Sequence, residues 1–307
     1  MACRSDASTG GPRFHMNSTA ILLVVLSALF HATRNLFTKE SLDKQVFLWW
    51  YSIFGMLFFS PLFVTVTARH GLGGADIVPI CLLSGFIHFL YWIFHTRAYE
   101  GGDLSRVYPI MRSSPALVLL VAVVFLGERV SAMGTAGILL VGAGIYVINM
   151  QSLTLQELLK PLQALFTDRS TRYAFLTLLS VTAYSIVDKV AVGRIHPVSF
   201  AFLHLSIGML FFTPYILWTK PRGMIRRVWR ANRLTILANG LLGVFGYALI
   251  LAAFTMEKVS YVVGLRQLSI VFAVLMGGRL LKEKHQAIRL SAALIIFCGA
   301  FLISLAG

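Results

Sequence analysis

Arg112, Arg266 and Asp188 stand deep inside long apolar runs. Arg112 lies about seven residues into its run, with Tyr108 one turn before it and Pro115 one turn after. Arg266 sits at similar depth in a later run, beside Gln267, and Asp188 follows Tyr184 by one turn in another. A charge at the centre of hydrocarbon costs ~2.5–3.5 kcal/mol on insertion scales, so it normally faces a partner or a wet cavity. A guanidinium there can grip a carboxylate or phosphate with two parallel hydrogen bonds. It can also snorkel, or tie helices together through carbonyls. A buried carboxylate such as Asp188 can carry a coupling proton, or stay ionised as counter-ion to Arg112, Arg266 or Lys189.

Other polar groups share these runs. Asn35 has His31 one turn before it and Arg34 beside it, and these can line the same cavity. His88, Trp92 and His95 form a polar-aromatic stripe, with Tyr91 alongside. Such a stripe serves substrate or cation stacking, or simply packs. The candidate substrate contacts are therefore Arg112, Tyr108, Arg266, Gln267, Asn35, His31, Tyr184, Trp92 and His95, with Asp188 as coupling acid or counter-ion. His88 and His95 lack an evident carboxylate as third ligand, and Cys3, Cys81 and Cys298 have no paired spacing. No metal site, disulfide framework or cofactor is expected.

The elements that hold these residues are helices in a bilayer. The 307-residue chain is 57% hydrophobic and 13% charged, against about 25% charged in soluble domains. Apolar runs of roughly 18–22 residues recur, the length that crosses ~30 Å of hydrocarbon. They predict an all-α integral membrane protein with ten spans, at about 18–38, 46–67, 77–98, 105–126, 133–150, 173–193, 197–218, 235–255, 259–279 and 287–306. Residues 1–16 read as a disordered tail, with Met16 an alternative start, and 151–171 as a linker between five helices and five. The net charge of +15 falls mostly at span ends, which suits topology and anionic lipid rather than nucleic acid. Trp49, Trp50 and Tyr51 suit an interfacial anchor. The glycines at 134, 137, 142 and 144 suit close helix packing. Glu128 and Glu283 end their spans, where each can cap a helix or pair with Arg129 or Lys284.

The two halves repeat. Gly55-Met56-Leu57-Phe58-Phe59-Ser60-Pro61 returns as Gly208-Met209-Leu210-Phe211-Phe212-Thr213-Pro214. The same shift of 153 lays Leu26-Ser27 on Leu179-Ser180 and Asn35 on Asp188. After a two-residue slip, Gly85 meets Gly240, Arg112 meets Gln267, Glu128 meets Glu283 and Gly144 meets Gly299. Units of 17–150 and 172–307 with five helices each must enter the membrane in opposite senses, which puts a site between them near the midplane.

The segment from Gly102-Asp103-Leu104-Ser105-Arg106-Val107-Tyr108-Pro109-Ile110 through Arg112-Ser113-Ser114-Pro115 to Phe125-Leu126-Gly127-Glu128-Arg129 resembles the fourth and fifth helices of EamA-type carriers in the drug/metabolite transporter superfamily. Gly142-Ala143-Gly144-Ile145-Tyr146 continues the likeness, and Gly264-Leu265-Arg266-Gln267-Leu268-Ser269 with Leu280-Leu281-Lys282-Glu283 repeats it. The resemblance implies ten helices, a central cavity, alternating access, and export or exchange of amino acids, metabolites or drugs. Members often keep both termini in the cytoplasm. Here Lys and Arg concentrate after odd-numbered spans, above all in Lys220, Arg222, Arg226, Arg227, Arg230 and Arg233, which favours termini outside.

The expected function is a secondary transporter in a cell membrane, for which a bacterial inner membrane is the natural setting. Its partners would be a small anionic or amino-acid-like solute, the lipid bilayer, and a proton or counter-solute; a monomer and a homodimer both remain open. The sequence lacks the Walker A pattern of a pump and the His-Glu-x-x-His pattern or nucleophile elbow of an intramembrane enzyme. A non-transporting scaffold or sensor is the other alternative.

Overall fold

Short-range capping rules set where each helix starts. Asp43 accepts hydrogen bonds from the backbone N–H groups of Gln45 and Val46, both at 3.0 Å. Asp168 takes the N–H of Thr171 at 2.8 Å, and Pro197 follows His196 at the first position of its helix. In this computed structural model residues 15–39, 41–99, 104–147, 168–280 and 286–306 are described. The tail before residue 15, the linker from 151 to 167, Leu281, Lys282, Glu283 and Lys284 lie outside them. The described residues form twelve helices: α1 (Ser18–Lys39), α2 (Lys44–His70), α3 (Ile77–Tyr99), α4 (Leu104–Arg112), α5 (Ser114–Leu126), α6 (Ala132–Val147), α7 (Arg169–Ala191), α8 (Pro197–Thr219), α9 (Arg222–Met256), α10 (Val259–Leu265), α11 (Leu268–Leu280) and α12 (Gln286–Leu305).

Seven stretches are long and apolar enough to cross a membrane: 18–35, α2, α3, α7, α8, α9 and 259–276. Three apolar stretches, 110–126, 132–147 and 290–305, are shorter. The sequence pattern treats 105–126 and 259–279 as continuous; the structure breaks both. In the first, Ser113 leaves helical geometry and Pro115 opens α5, because a proline cannot donate the N–H that would carry the helix through. In the second there is no proline. Gln267 N–H bonds Gly264 O at 3.1 Å instead of reaching back four residues, and its side-chain Nε2 takes the freed Val263 carbonyl at 3.2 Å. Pro61 lies inside α2 without ending it. Ser60 Oγ donates to Leu57 O at 2.8 Å, the carbonyl that the proline leaves free.

Each helix packs most extensively on a helix of the other half. α9 lies along α1 and α2, α3 along α7 and α8, α11 on α1, α5 on α7, and α6 on α12. Exchanging the halves turns the α2–α9 contact into α8–α3, and α1–α9 into α7–α3. The contact map therefore carries the same two-fold pattern as the sequence. Met16 N–H bonds Ser304 O at 3.2 Å and Asn17 N–H bonds Glu257 Oε1 at 2.6 Å, so the ends of α1, α9 and α12 meet. His70 stacks on His196 at the same end of the bundle. The other end holds the Lys220–Asp43 ion pair, 2.7 Å.

Two expectations change, and a third is decided between its two alternatives. Trp49 is buried and donates to Thr213 Oγ1 at 3.0 Å, Trp50 packs on Trp229 and donates to Ile225 O, and Tyr51 lies under Arg34. This trio binds helices together rather than meeting headgroups. Gly142 has open space beside it, whereas Gly134, Gly137 and Gly144 meet Tyr261, Gly299 and Ala292 respectively. Glu128 caps α10 rather than pairing with Arg129. It accepts from Val259 N at 2.7 Å and Ser260 Oγ at 2.6 Å, stitching the end of one broken span to the start of the other.

Candidate substrate-binding site

Each break holds its arginine at the C-terminal end of a short helix. Arg112 is the last residue of α4, and Arg266 follows the last residue of α10. The carbonyl end of a helix favours a cation. The N-termini of α5 and α11 start within two residues of the same arginines, and such ends favour an anion. A break of this kind is therefore suited to bringing an anionic group against a guanidinium.

Aromatic rings floor both arginines. The Arg112 guanidinium lies 5.2 Å from the Tyr108 ring centre, and Arg266 lies 5.6 Å from that of Tyr247. Arg112 Nη2 is 3.3 Å from His31 Nε2, a contact that joins α4 to α1. Arg34, one turn further along α1, covers Tyr51 at 4.9 Å. Its Nε is buried without a hydrogen-bond partner, and Gly243 leaves the room for its guanidinium. His31 feels the charges of Arg112, Arg266 and Arg34 together. His95 extends this group through Tyr91 and Tyr99, with ring centres 5.2 and 5.1 Å away.

Asp188 is fully buried on α7 and its two oxygens are held by hydroxyls. Ser84 Oγ of α3 donates at 2.6 Å, and Tyr247 OH of α9 donates to the other oxygen. His88 Nε2 stands 3.7 Å away, while its Nδ1 is 2.9 Å from Ser84 O. The His88 ring is stacked on Tyr184 at 4.2 Å and lies 4.6 Å from His204. Among the described residues no lysine or arginine forms an ion pair with Asp188. Lys189 points elsewhere and donates to Phe254 O and, at 2.7 Å, to Glu257 O, which closes the C-terminus of α9.

The structure thus gathers Arg112, Tyr108, His31, His95, Tyr184, Arg266 and Asp188 around one polar, aromatic interior. It leaves three candidates apart. Trp92 is wedged in the α3–α8 seam, against Phe212 and against Gly208, where an added Cβ would stand 2.8 Å from the indole. Gln267 is buried on its own backbone. Asn35 is exposed, and no hydrogen bond is made by its side chain among the described residues. Ser84, His204 and Tyr247 join the group without having been singled out by sequence. The repeat register offers a signal for one of them: it lays Tyr247 on Trp92.

Comparison with known proteins agrees with this architecture. A solved chain described as "Crystal structure of protein" superposes with a TM-score of 0.68 at 16% identity, covering 94% of this chain and 98% of that one; the likeness is one of fold. The pseudopaline exporter CntI of Pseudomonas aeruginosa is 24% identical over 93% of this chain and 96% of its own length. An uncharacterized transporter from the cobO 3' region of Sinorhizobium sp is 33% identical over 66 residues, 22% of this chain, and the chain spans 47% of that relative. Residues 18–150 and again 171–305 match the EamA-like transporter family, and the chain belongs to that family: it is a multi-pass membrane transporter.

Proposed function

We propose that this protein is a secondary transporter that moves a small metabolite bearing a carboxylate or phosphate by alternating access. Ten spans would be made by joining α4 to α5 and α10 to α11, and two five-span repeats would then face each other in opposite senses across the midplane. The observation that carries this reading is the pair of broken helices with Arg112 and Arg266 at the breaks. Around them stand Arg34 and, as the one described carboxylate, Asp188. Three fixed positive charges against one negative charge leave a surplus that an anionic group of the solute would neutralise.

Asp188 would be the coupling acid. With the Nδ1 proton of His88 given to Ser84 O, the Nε2 lone pair and a carboxylate oxygen face each other at 3.7 Å. Two acceptors in that position are stabilised by one added proton. A proton entering here while the solute leaves Arg266, across the shared Tyr247, gives an exchange in which solute and proton alternate. The name of the CntI relative supports export as the direction. The positive-inside rule would put the end with Lys220 and the α9 arginines in the cytoplasm of a bacterial inner membrane.

The test is flux in proteoliposomes across a panel of amino acids, organic acids and phosphorylated metabolites, with and without an imposed proton gradient. Flux of an anionic member, with its KM raised in Arg112→Ala, supports the reading. A panel in which only cationic or uncharged solutes move overturns it.

A further inference from the structure

A second basic cavity lies away from the broken helices. It has a volume of about 470 Å³ and sits between the ends of α2, α3, α7 and α8. Arg97, in the last turn of α3, donates from Nη1 to Tyr173 OH at 3.0 Å and from Nη2 to Tyr215 OH at 3.1 Å. Arg169, the first residue of α7, donates from Nη2 to the same Tyr173 hydroxyl at 3.4 Å. Two guanidiniums therefore share one neutral phenol. Among the described residues neither forms an ion pair. Lys220 also lines the cavity, but Asp43 pairs with it at 2.7 Å. The wall carries two uncompensated positive charges.

Like charges held this close raise the energy of an empty site, and an anion between them lowers it. Each guanidinium has five N–H donors. Arg97 commits two to the phenols and Arg169 one, which leaves donors for further oxygens. Gln45 and Ser170, at the starts of α2 and α7, complete the polar lining. The carboxylates of Asp43 and Asp168 already cap those two helices, so the charge offered to an anion is that of the two guanidiniums.

The setting points to lipid. The cavity lies where apolar spans end. Trp218, one turn from Tyr215 and two residues before Lys220, is 89% exposed, as a ring at the membrane boundary would be. α9 begins beside it with an amphipathic stretch. Arg222, Arg226, Arg227, Arg230 and Arg233 are exposed, Ile225 and Val228 are buried, and the helix kinks at Asn232. A basic, amphipathic start of this kind lies along an anionic surface.

We infer that this cavity binds the phosphate of an anionic phospholipid headgroup, held by Arg97 and Arg169, independently of the transported solute. The test is native mass spectrometry of the full chain, released from detergent after exposure to phosphatidylglycerol, phosphatidylcholine or free glycerol 3-phosphate. Phosphatidylglycerol should be retained at least tenfold better than phosphatidylcholine. Arg97→Gln with Arg169→Gln should remove that preference, and glycerol 3-phosphate at equal concentration should not displace the lipid. Arg169→Gln alone, at an exposed helix start, should weaken retention while leaving the unfolding midpoint unchanged, which separates binding from folding. Equal retention of both lipids, or an unchanged preference in the double variant, overturns the inference. Displacement by glycerol 3-phosphate assigns a soluble phosphate instead and overturns the lipid.

Discussion

Ser84 Oγ on α3 stands 2.6 Å from Asp188 Oδ1 on α7, and it donates a hydrogen bond to a carboxylate buried from the surface. Burying a carboxylate is costly unless donors or cations surround it. Here the donors are two neutral hydroxyls, Ser84 and Tyr247. That arrangement holds the acid in place without a fixed countercharge. Asp188→Asn keeps the shape and removes the exchangeable proton. Flux in the variant is expected to be indifferent to a collapsed proton gradient, while counterflow exchange of labelled for unlabelled solute persists. Gradient sensitivity equal to the parent's would return Asp188 to a structural role.

Arg112 gives a second prediction. Its guanidinium has His31 on one side and Tyr108 beneath. A charged hydrogen bond to solute contributes about 1.5–3 kcal/mol, so Arg112→Ala should raise the KM for an anionic solute roughly ten- to hundredfold. Arg112→Lys keeps the charge and loses the fork, and should recover part of the loss. Membrane insertion should be unaffected. Transport titrations on the three proteins at matched membrane levels check this; equal KM values would remove Arg112 from the site.

The contrast between Arg112 and Trp92 shows what sequence could tell. Arg112 was legible because a charge in hydrocarbon must be justified whichever way it faces. Trp92 was not, because lipid and packed protein are equally apolar and a span has no polar face from which to read direction. Tyr247 hid for the same reason, alone among Gly, Ala, Leu and Phe. The first break falls beside Pro115, a visible helix breaker that the unbroken apolar run of 105–126 outweighed, and the second rests on a hydrogen-bond rearrangement at Gln267 that no residue type signals. The repeat was legible from glycines and prolines. What it left unsaid was that each half would pack chiefly on the other.

Glycines at the crossings make the third prediction. Gly55 meets Gly240, and Gly85 meets Gly208, so each partner is the repeat mate of a residue in the other pair. A Cβ at Gly240 would stand 2.9 Å from Gly55 N and Tyr51 O, and one at Gly85 would lie 2.5 Å from Ile207 and 3.0 Å from Gly208 N. Backbone cannot swing aside as a side chain can. Gly240→Ala and Gly85→Ala should each lower stability by about 1–3 kcal/mol, the cost of overpacking. Gly142→Ala, with open space beside it, should be neutral. Thermal unfolding in detergent, followed by the reactivity of the buried Cys81 thiol, checks the order; equal midpoints for Gly240→Ala and Gly142→Ala would deny the close crossing.

His196 supplies the last prediction, in the turn between α7 and α8. Its Nδ1 accepts the Val198 N–H at 3.2 Å and so caps α8. Partial burial, and then the neighbouring His70, hold its pKa below the usual histidine value. The unfolded chain, near pH 6.5, takes up the proton first as pH falls. Between the two values the unfolded state binds more protons, so stability rises with pH there. The contribution is complete above about pH 6.5 and is lost as the pH drops toward the lowered folded value. His196→Ser keeps a capping oxygen that does not titrate. Above about pH 7 the parent and the variant should unfold at a constant offset, and below it the parent should lose ground. Unfolding midpoints that run parallel from about pH 8 to 5 would show that the imidazole does not act as the cap.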